Sequence, residues 1–301
     1  MHTLINQLLS RADQIILGKS LQVRLAVCCL FCKGHLLIED IPGVGKTTLA
    51  HTLAILMGMN YQRIQFTSDL LPSDIIGASI FDVDNHTFKF HPGPIFNQMV
   101  LADEINRSTP KSQSALLEAM EEQQVTVEGK TYPLPTPFFV IATQNPSHQL
   151  GTFPLPESQL DRFLMRIELG YPDHQAEREL LKGLSRRSLI EKLTAHMSAE
   201  QLSVIQQKVI DVHVSDALLD YLQGIIAYTR ISPDYAAGLS PRAGIALLHA
   251  AKAWAYMTNR DAVLPEDVQA VLPSVAGHRL KSGSHDSHAI VAPILENVPV
   301  F

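Results

Sequence analysis

The stretch LLIEDIPGVGKTTLA, Leu36 to Ala50, passes from a short apolar string through a glycine-rich turn into Lys46, Thr47 and Thr48. With His35 ahead of it, HLLIE reads as a buried strand, because apolar residues run unbroken between the turn signals Gly34 and Pro42-Gly43. TTLAHTLAILMG then has helical composition, with Leu49, Leu53 and Leu56 on one face and Gly58 as a stop. A strand, a glycine-rich turn and a helix start together make an anion cradle, since unpaired N–H groups and the positive end of the helix dipole converge there. Gly43 and Gly45 let the backbone close around phosphate oxygens, Lys46 reaches the terminal phosphates, and Thr47 offers a hydroxyl to Mg²⁺. Pro42, Gly43, Val44, Gly45, Lys46, Thr47 and Thr48 are therefore the candidate residues for binding a nucleoside triphosphate. One position departs from the usual G-x-x-x-x-G-K-[ST] pattern: Asp40 stands where its first glycine would be.

A second site lies in FNQMVLADEINRSTPKSQSALLEAMEEQQVTVEG. Met99 to Ala102 read as another buried strand, ending in Asp103 and Glu104, and adjacent carboxylates at a strand end are costly unless a cation or water occupies the place. Alternating side-chain directions send the two acids different ways: Asp103 to hold Mg²⁺, usually through its water, and Glu104 to polarise an attacking water. A third strand, Phe138 to Ala142, delivers Thr143 and Asn145 before Pro146 ends it, and an amide at that end suits orienting the same water. In LPESQLDRFLMRIELGYP a strand from Phe163 to Leu169 has Asp161 and Arg162 at its mouth, an arrangement equally suited to a structural ion pair. In GLSPRAGIALLHAAKAWAYM, Ser240 is a natural N-cap, Pro241 suits the first helical position, and Arg242 follows. A cation in the first turn opposes the helix dipole, and a nearby anion such as the γ-phosphate relieves that conflict.

At 301 residues and 46% hydrophobic, the chain is long enough for two domains with a sizeable core. A net charge of −6 provides no basic field for a nucleic-acid backbone, so nucleic acid is not expected as a partner. The longest apolar run, Leu25 to Cys32, is too short to span a bilayer, and MHTLINQLLSRAD lacks the pattern of a secretory signal. A soluble cytoplasmic protein is expected. Cys28, Cys29 and Cys32 fit that compartment as buried thiols in a helix, since no second pair completes a zinc site. Up to Gly170-Tyr171-Pro172 short apolar strands alternate with helices, which predicts a parallel sheet with crossover helices. Beyond it QAERELLKGL, AEQLSVIQQKVIDVHVS, DALLDYLQGIIAYTR, the Arg242 helix and PEDVQAVLPSVAGHRL all read as helical, and Lys281 to His288 reads as a loose linker. The expected fold class is α/β: an αβα nucleotide-binding core over 1–171, then a smaller all-helical domain over 172–301.

The Lys46 loop, LADEINR, ATQNP, LPESQLDRFL and SPRA followed by AKAWA occur in an order that resembles the MoxR family of AAA+ P-loop ATPases over nearly the full chain. The resemblance implies a ring, usually hexameric, with ATP between subunits. It gives Lys46 and Thr47 to Walker A, Asp103 and Glu104 to Walker B, Asn145 to sensor 1 and Arg242 to sensor 2. Arg162 is similar to the arginine finger given to a neighbour's ATP, with Arg107 as the competing candidate, and Leu17-Gly18 is similar to the wall of the adenine pocket. DLLPSDIIGASIFDVDNHTFKFHPGPIF sits where the family carries a helix-2 insert, its His86 and His91 reading as ordinary loop residues, and QVTVEGKTYPLPTP reads as a hairpin around Glu128-Gly129. Family analogy further implies ATP hydrolysis with Mg²⁺, and a chaperone-like role in maturation or metal loading of partners that carry von Willebrand factor A domains. Two other classes stand beside it: a nucleotide-switched scaffold with negligible hydrolysis, which has no use for Glu104, and a helicase-like motor on DNA, which the acidic balance disfavours.

Overall fold

The computed structural model describes residues 1–145, 151–182, 189–282, 284 and 286–300. Pro146, the Gly183-Leu184 end of the first helical segment beyond Pro172, and Gly283 and His285 of the expected linker lie outside the described residues. Five parallel strands form the central sheet in the order β2 (Tyr61–Gln65), β5 (Met99–Asp103), β8 (Phe139–Gln144), β1 (Leu36–Glu39), β9 (Met165–Ile167). Alternating side chains divide each strand between two cores. Leu36, Ile38, Met99, Leu101, Phe139 and Ile141 face one cluster, whereas Leu37, Val100, Ala102, Val140 and Ala142 face the other.

The first cluster packs the sheet against α1 (His2–Ile15), α2 (Ser20–Phe31) and α3 (Lys46–Leu56). It continues without a break into α8 (Ala199–Ile210), α9 (Asp216–Ile231), α10 (Pro241–Met257), α11 (Pro265–Ala276) and α12 (Ser287–Asn297). Cys28 and Cys29 are fully buried there, and burial pushes both thiols up. The second cluster seats α5 (Pro110–Glu122) on the opposite face. The short α4 (Pro72–Ile76) leads into the hairpin β3 (Gly77–Asp82) and β4 (Thr87–Pro92), the second hairpin is β6 (Gln124–Val127) and β7 (Lys130–Pro133), and α6 (Glu157–Leu160) and α7 (His174–Lys182) flank β9. Glu128 (φ 49°) and Gly129 (φ 77°) both adopt the left-handed conformation that a two-residue hairpin turn demands. Of the expected linker, Ser287 and His288 begin α12, where Asp286 caps the helix by accepting from the His288 N–H at 2.9 Å.

Two strands end elsewhere than their apolar runs suggest. β8 extends past Ala142 because Thr143 and Gln144 continue its ladder with Ile38 and Glu39. β9 is shorter than Phe163 to Leu169: the Phe163 N–H closes a turn on the Leu160 carbonyl, and the Leu169 N–H is taken by a side chain of the functional site. The stretch before β9 is clamped by Arg279, just beyond α11, whose side chain is only 6% exposed. Its guanidinium binds Asp161 Oδ1 at 2.7 Å and the carbonyls of Phe163 at 2.7 Å, Leu164 at 3.1 Å and Asp161 at 3.2 Å, as well as that of Val275.

His35, at the start of β1, is buried between Phe138, Phe139 and α5. Its Nδ1 accepts from the Val140 N–H at 3.0 Å and its Nε2–H donates to the Met120 carbonyl at 3.3 Å, an arrangement that requires the neutral ring. Burial pushes its pKa down to about 4. Because the folded value lies below the unfolded one, the contribution of His35 is complete above about pH 6.5 and is lost as pH falls from there towards 4. We expect His35→Gln to flatten the acid-side fall in urea-unfolding stability by about 1.4 kcal/mol per pH unit between pH 6 and 4.5. Parallel curves for variant and wild type in that window would contradict this assignment.

Candidate functional site

The strand register sets the site. Gln65 pairs with Asp103 between β2 and β5, Ala102 with Ala142 between β5 and β8, and Glu39 with Gln144 between β1 and β8. The carboxyl ends of the strands thus lie in one row, and β1 stands where successive crossovers leave in opposite directions, the place where open α/β sheets bind ligands. The loop after β1 carries Gly43 (φ 86°) and Gly45 (φ 98°), both in the left-handed region closed to most side chains. Among the described residues a Cβ added at either would meet nothing within 4 Å, and Pro42 and Thr47 are exposed and Val44 and Thr48 partly so.

Lys46 begins α3 and is 7% exposed. Its ammonium donates to the Asp40 carbonyl at 2.5 Å and to Asn145 Oδ1 at 3.0 Å. Burial pushes its pKa down, and the charges of Asp40, Asp103 and Glu104 oppose that shift. Asn145, itself buried, donates through Nδ2 to Glu104 Oε1 at 3.0 Å, so one amide bridges the cation of the loop and the second acid of β5. Thr143 does the same for the acids: its hydroxyl donates to Asp103 Oδ1 at 2.6 Å and accepts from the Glu104 N–H at 2.9 Å. Glu104 holds a left-handed backbone (φ 58°), a cost typical of functional positions, which turns it away from Asp103. Its Oε2 accepts from Gln65 Nε2 at 3.1 Å and pairs with Arg107 Nε at 3.3 Å. Arg107, the competing finger candidate, is thus engaged by the acid of its own chain.

Asp40 gains a physical reason. Its Oδ1 accepts from the Ile41 N–H at 2.8 Å, and its Oδ2 accepts from the Leu169 and Gly170 N–H groups, both at 2.6 Å. A glycine there would leave those amides without this acceptor and release the phosphate loop from the segment after β9. The same segment carries Tyr171, whose carbonyl accepts from Lys19 Nζ at 2.6 Å, next to Gly18. Gly18 (φ 70°) approaches α7 so closely that a Cβ would stand 3.0 Å from that of Ala176. Leu17 and Gly18, the expected adenine wall, are in this way linked through Lys19, Tyr171, Gly170 and Asp40 to the phosphate loop. Lys19 and Asp40 were absent from the sequence-derived site because each acts by binding backbone amides or carbonyls, which leaves no motif.

Arg162 and Arg242 come together, but not beside Lys46. Arg162 Nε binds Glu121 Oε2 at 2.7 Å and Arg242 Nη1 binds Glu121 Oε1 at 3.0 Å, and these arginines hold the Glu121 carboxyl below the usual range, the Arg162 hydrogen bond most of all. They line a cleft of about 250 Å³ with Lys33, Gly34 and His35, where β1 begins. The phosphate loop follows the end of β1, so the length of the sheet separates Arg242 from the phosphate loop of its own chain. The reason is the attachment of the lid, for α10, which carries Arg242, packs through Cys28 and Cys32 of the α2 region against the amino-terminal side of the sheet.

Glycine cradle, buried lysine, bridging amide and paired acids at the switch point of a five-stranded parallel sheet, with a helical lid, define a P-loop ATPase fold of the AAA+ class. Comparison with known proteins agrees. Residues 35–165 match the model of the ATPase family associated with various cellular activities (AAA), and residues 227–294 match that of the AAA lid domain. The chain is 43% identical to YeaC of Bacillus subtilis, covering 100% of this chain and 96% of that one, and 40% identical to Chaperone MoxR1 of Mycobacterium tuberculosis, covering 93% and 76%. A solved structure from Cytophaga hutchinsonii superposes with a TM-score of 0.90 at 36% identity, covering 100% of this chain and 96% of that one. The chain belongs to the MoxR family of AAA+ ATPases.

Membership implies nucleotide binding, typically with Mg²⁺. The residues present fit that cation: a carboxylate at Asp103 and a hydroxyl at Thr47 are hard oxygen donors of the kind Mg²⁺ takes alongside phosphate oxygens and water. No helix among the described residues is long and apolar enough to cross a membrane. Asp40→Gly, although it restores the common loop pattern, is expected to weaken nucleotide binding about tenfold by freeing the loop from Leu169 and Gly170. Titration with a fluorescent ADP derivative reads this directly, and binding as tight as wild type would show that the carboxylate is dispensable.

Proposed function

We propose that this chain hydrolyses ATP and uses the resulting movement to remodel partner proteins, as a chaperone-like motor. The observation that carries this reading is the single amide of Asn145 joining Lys46 to Glu104 at the mouth of the glycine cradle. It ties the group that grips a phosphate to the group that activates water, a pairing with no purpose in a protein that only binds. In this mechanism Gly43, Gly45 and Lys46 hold the phosphates, with Pro42, Val44 and Thr48 shaping the loop and Leu17-Gly18 walling the base. Glu104 accepts the proton of the attacking water, and Asn145 fixes the orientation of Glu104. Thr47 and Asp103 would hold Mg²⁺, which when bound would neutralise charge on the phosphoryl oxygens.

Arg162 and Arg242 enter from another copy. Both sit at the opposite end of the sheet from Lys46, share one carboxylate, and so suit delivery across a head-to-tail interface, the geometry that closes into rings. We propose a homo-oligomeric ring, hexameric by family analogy, in which residues 1–171 form the nucleotide-binding core and 172–301 the lid. The name of the relative Chaperone MoxR1 supports a protein client. A client with a von Willebrand factor A domain, a role in assembly or metal loading, and a cytoplasmic location follow from the family resemblance.

Glu104→Gln is expected to keep ATP binding while phosphate release falls at least about a thousandfold, the scale of losing a catalytic base together with its electrostatic effect. Appreciable turnover in that variant would remove Glu104 from the role. For the interface, neither Arg162→Ala nor Lys46→Ala alone should turn over. Mixed in equal amounts they should regain part of the wild-type rate, since some interfaces then combine an intact loop with an intact arginine pair. Mixtures as inactive as their components would argue against delivery between copies.

A further inference from the structure

We infer that Arg63 competes with the divalent cation for Asp103 and thereby sets how much Mg²⁺ the site requires. Arg63 lies on the edge strand β2, two residues before Gln65 and so on the same face, from which both reach the end of β5. Its Nε and Nη2 both donate to Asp103 Oδ2, at 3.0 and 2.6 Å. The other carboxylate oxygen, Oδ1, receives the Thr143 hydroxyl at 2.6 Å.

A carboxylate oxygen has two lone-pair sites, and Arg63 takes both on Oδ2. Thr143, fully buried, fixes Oδ1. A cation, or a water that the cation orients, finds Oδ2 free only when the guanidinium has withdrawn, and at the one site of Oδ1 that Thr143 leaves open it would stand beside the guanidinium on the same carboxylate, so charge repulsion favours the same exchange. The arginine is the partner that moves. Its side chain is 49% exposed and, among the described residues, holds besides Asp103 only the Gln65 Oε1 at 2.6 Å, whereas Asp103 is 10% exposed and locked by Thr143. The guanidinium, half exposed, can return to water, while the buried carboxylate keeps its need for a cation, so one cation can exchange for the other. The consequence is a threshold: cation-bearing nucleotide engages Asp103 at the expense of the Arg63 pair, so this residue tunes Mg²⁺ dependence without touching phosphate.

This inference rests on the proposed role of Asp103, and the test separates the two. Binding of a fluorescent, non-hydrolysable ATP analogue to the full chain is measured at constant ionic strength while free Mg²⁺ is raised from micromolar to millimolar, and again in excess EDTA. Arg63→Met should lower the half-saturating Mg²⁺ about two- to tenfold and leave affinity in EDTA unchanged. Arg63→Lys, which keeps the charge but loses the fork, should fall between Arg63→Met and wild type. Asp103→Asn should raise the half-saturating Mg²⁺ or abolish the Mg²⁺ dependence. If Asp103→Asn behaves so but Arg63→Met keeps the wild-type midpoint or raises it, competition by Arg63 is refuted while the cation site stands. Weaker binding of Arg63→Met in EDTA would mean that Arg63 contacts phosphate, which also overturns the inference. A wild-type Mg²⁺ response in Asp103→Asn would overturn the cation site itself.

Discussion

The parallel register of β1, β5 and β8 is the constraint from which the rest of the structure follows. Because Glu39 lies opposite Gln144 and Ala142 lies opposite Ala102, the chains leave the sheet at one level. Asn145 then joins Lys46 to Glu104, and Thr143 joins Asp103 to the Glu104 N–H. A slip of one residue in β8 would turn Thr143 and Asn145 to the opposite faces of the sheet, since side-chain direction alternates along a strand. The two cores enforce the register, with every central strand buried on both sides.

The same sheet separates the phosphate loop from the arginine pair. The phosphate loop lies at the carboxyl ends of the strands, and the arginine pair lies at the amino ends, held on Glu121 and braced by Arg279 through Asp161. A buried guanidinium with five oxygen partners, that of Arg279, joins the end of α11 to the segment around Arg162. At the other end Asp40 binds the amides that follow β9, which ties the phosphate loop to the start of the lid.

Local motifs were legible in the sequence: the Gly43 to Thr47 loop, Asp103-Glu104 and Asn145 at strand ends, and the change to helices after Pro172. Their signal is local, because a glycine-rich turn between an apolar strand and a helix has few other uses, and the pattern of hydrophobic residues follows the period of each element. The hairpin at Glu128-Gly129 was legible for the same reason, since its turn conformation demands particular residues. Strand ends were less so, as with β8 and β9, because hydrogen bonds to neighbouring elements rather than apolarity decide where a ladder stops.

Sequence alone therefore determined that this chain carries a phosphate loop, a pair of acids and an asparagine at strand ends of a parallel sheet with a helical second part. Only the tertiary structure decided that Asp40 holds Leu169 and Gly170, that Arg63 sits on Asp103, and that Arg162 and Arg242 share Glu121 far from Lys46. Each of these is a contact between residues distant in the chain, and the partners are either backbone groups that every residue possesses or charges common on any surface. Nothing in local spacing distinguishes them; packing of the lid against the amino-terminal side of the sheet, and the register of its strands, brings them together.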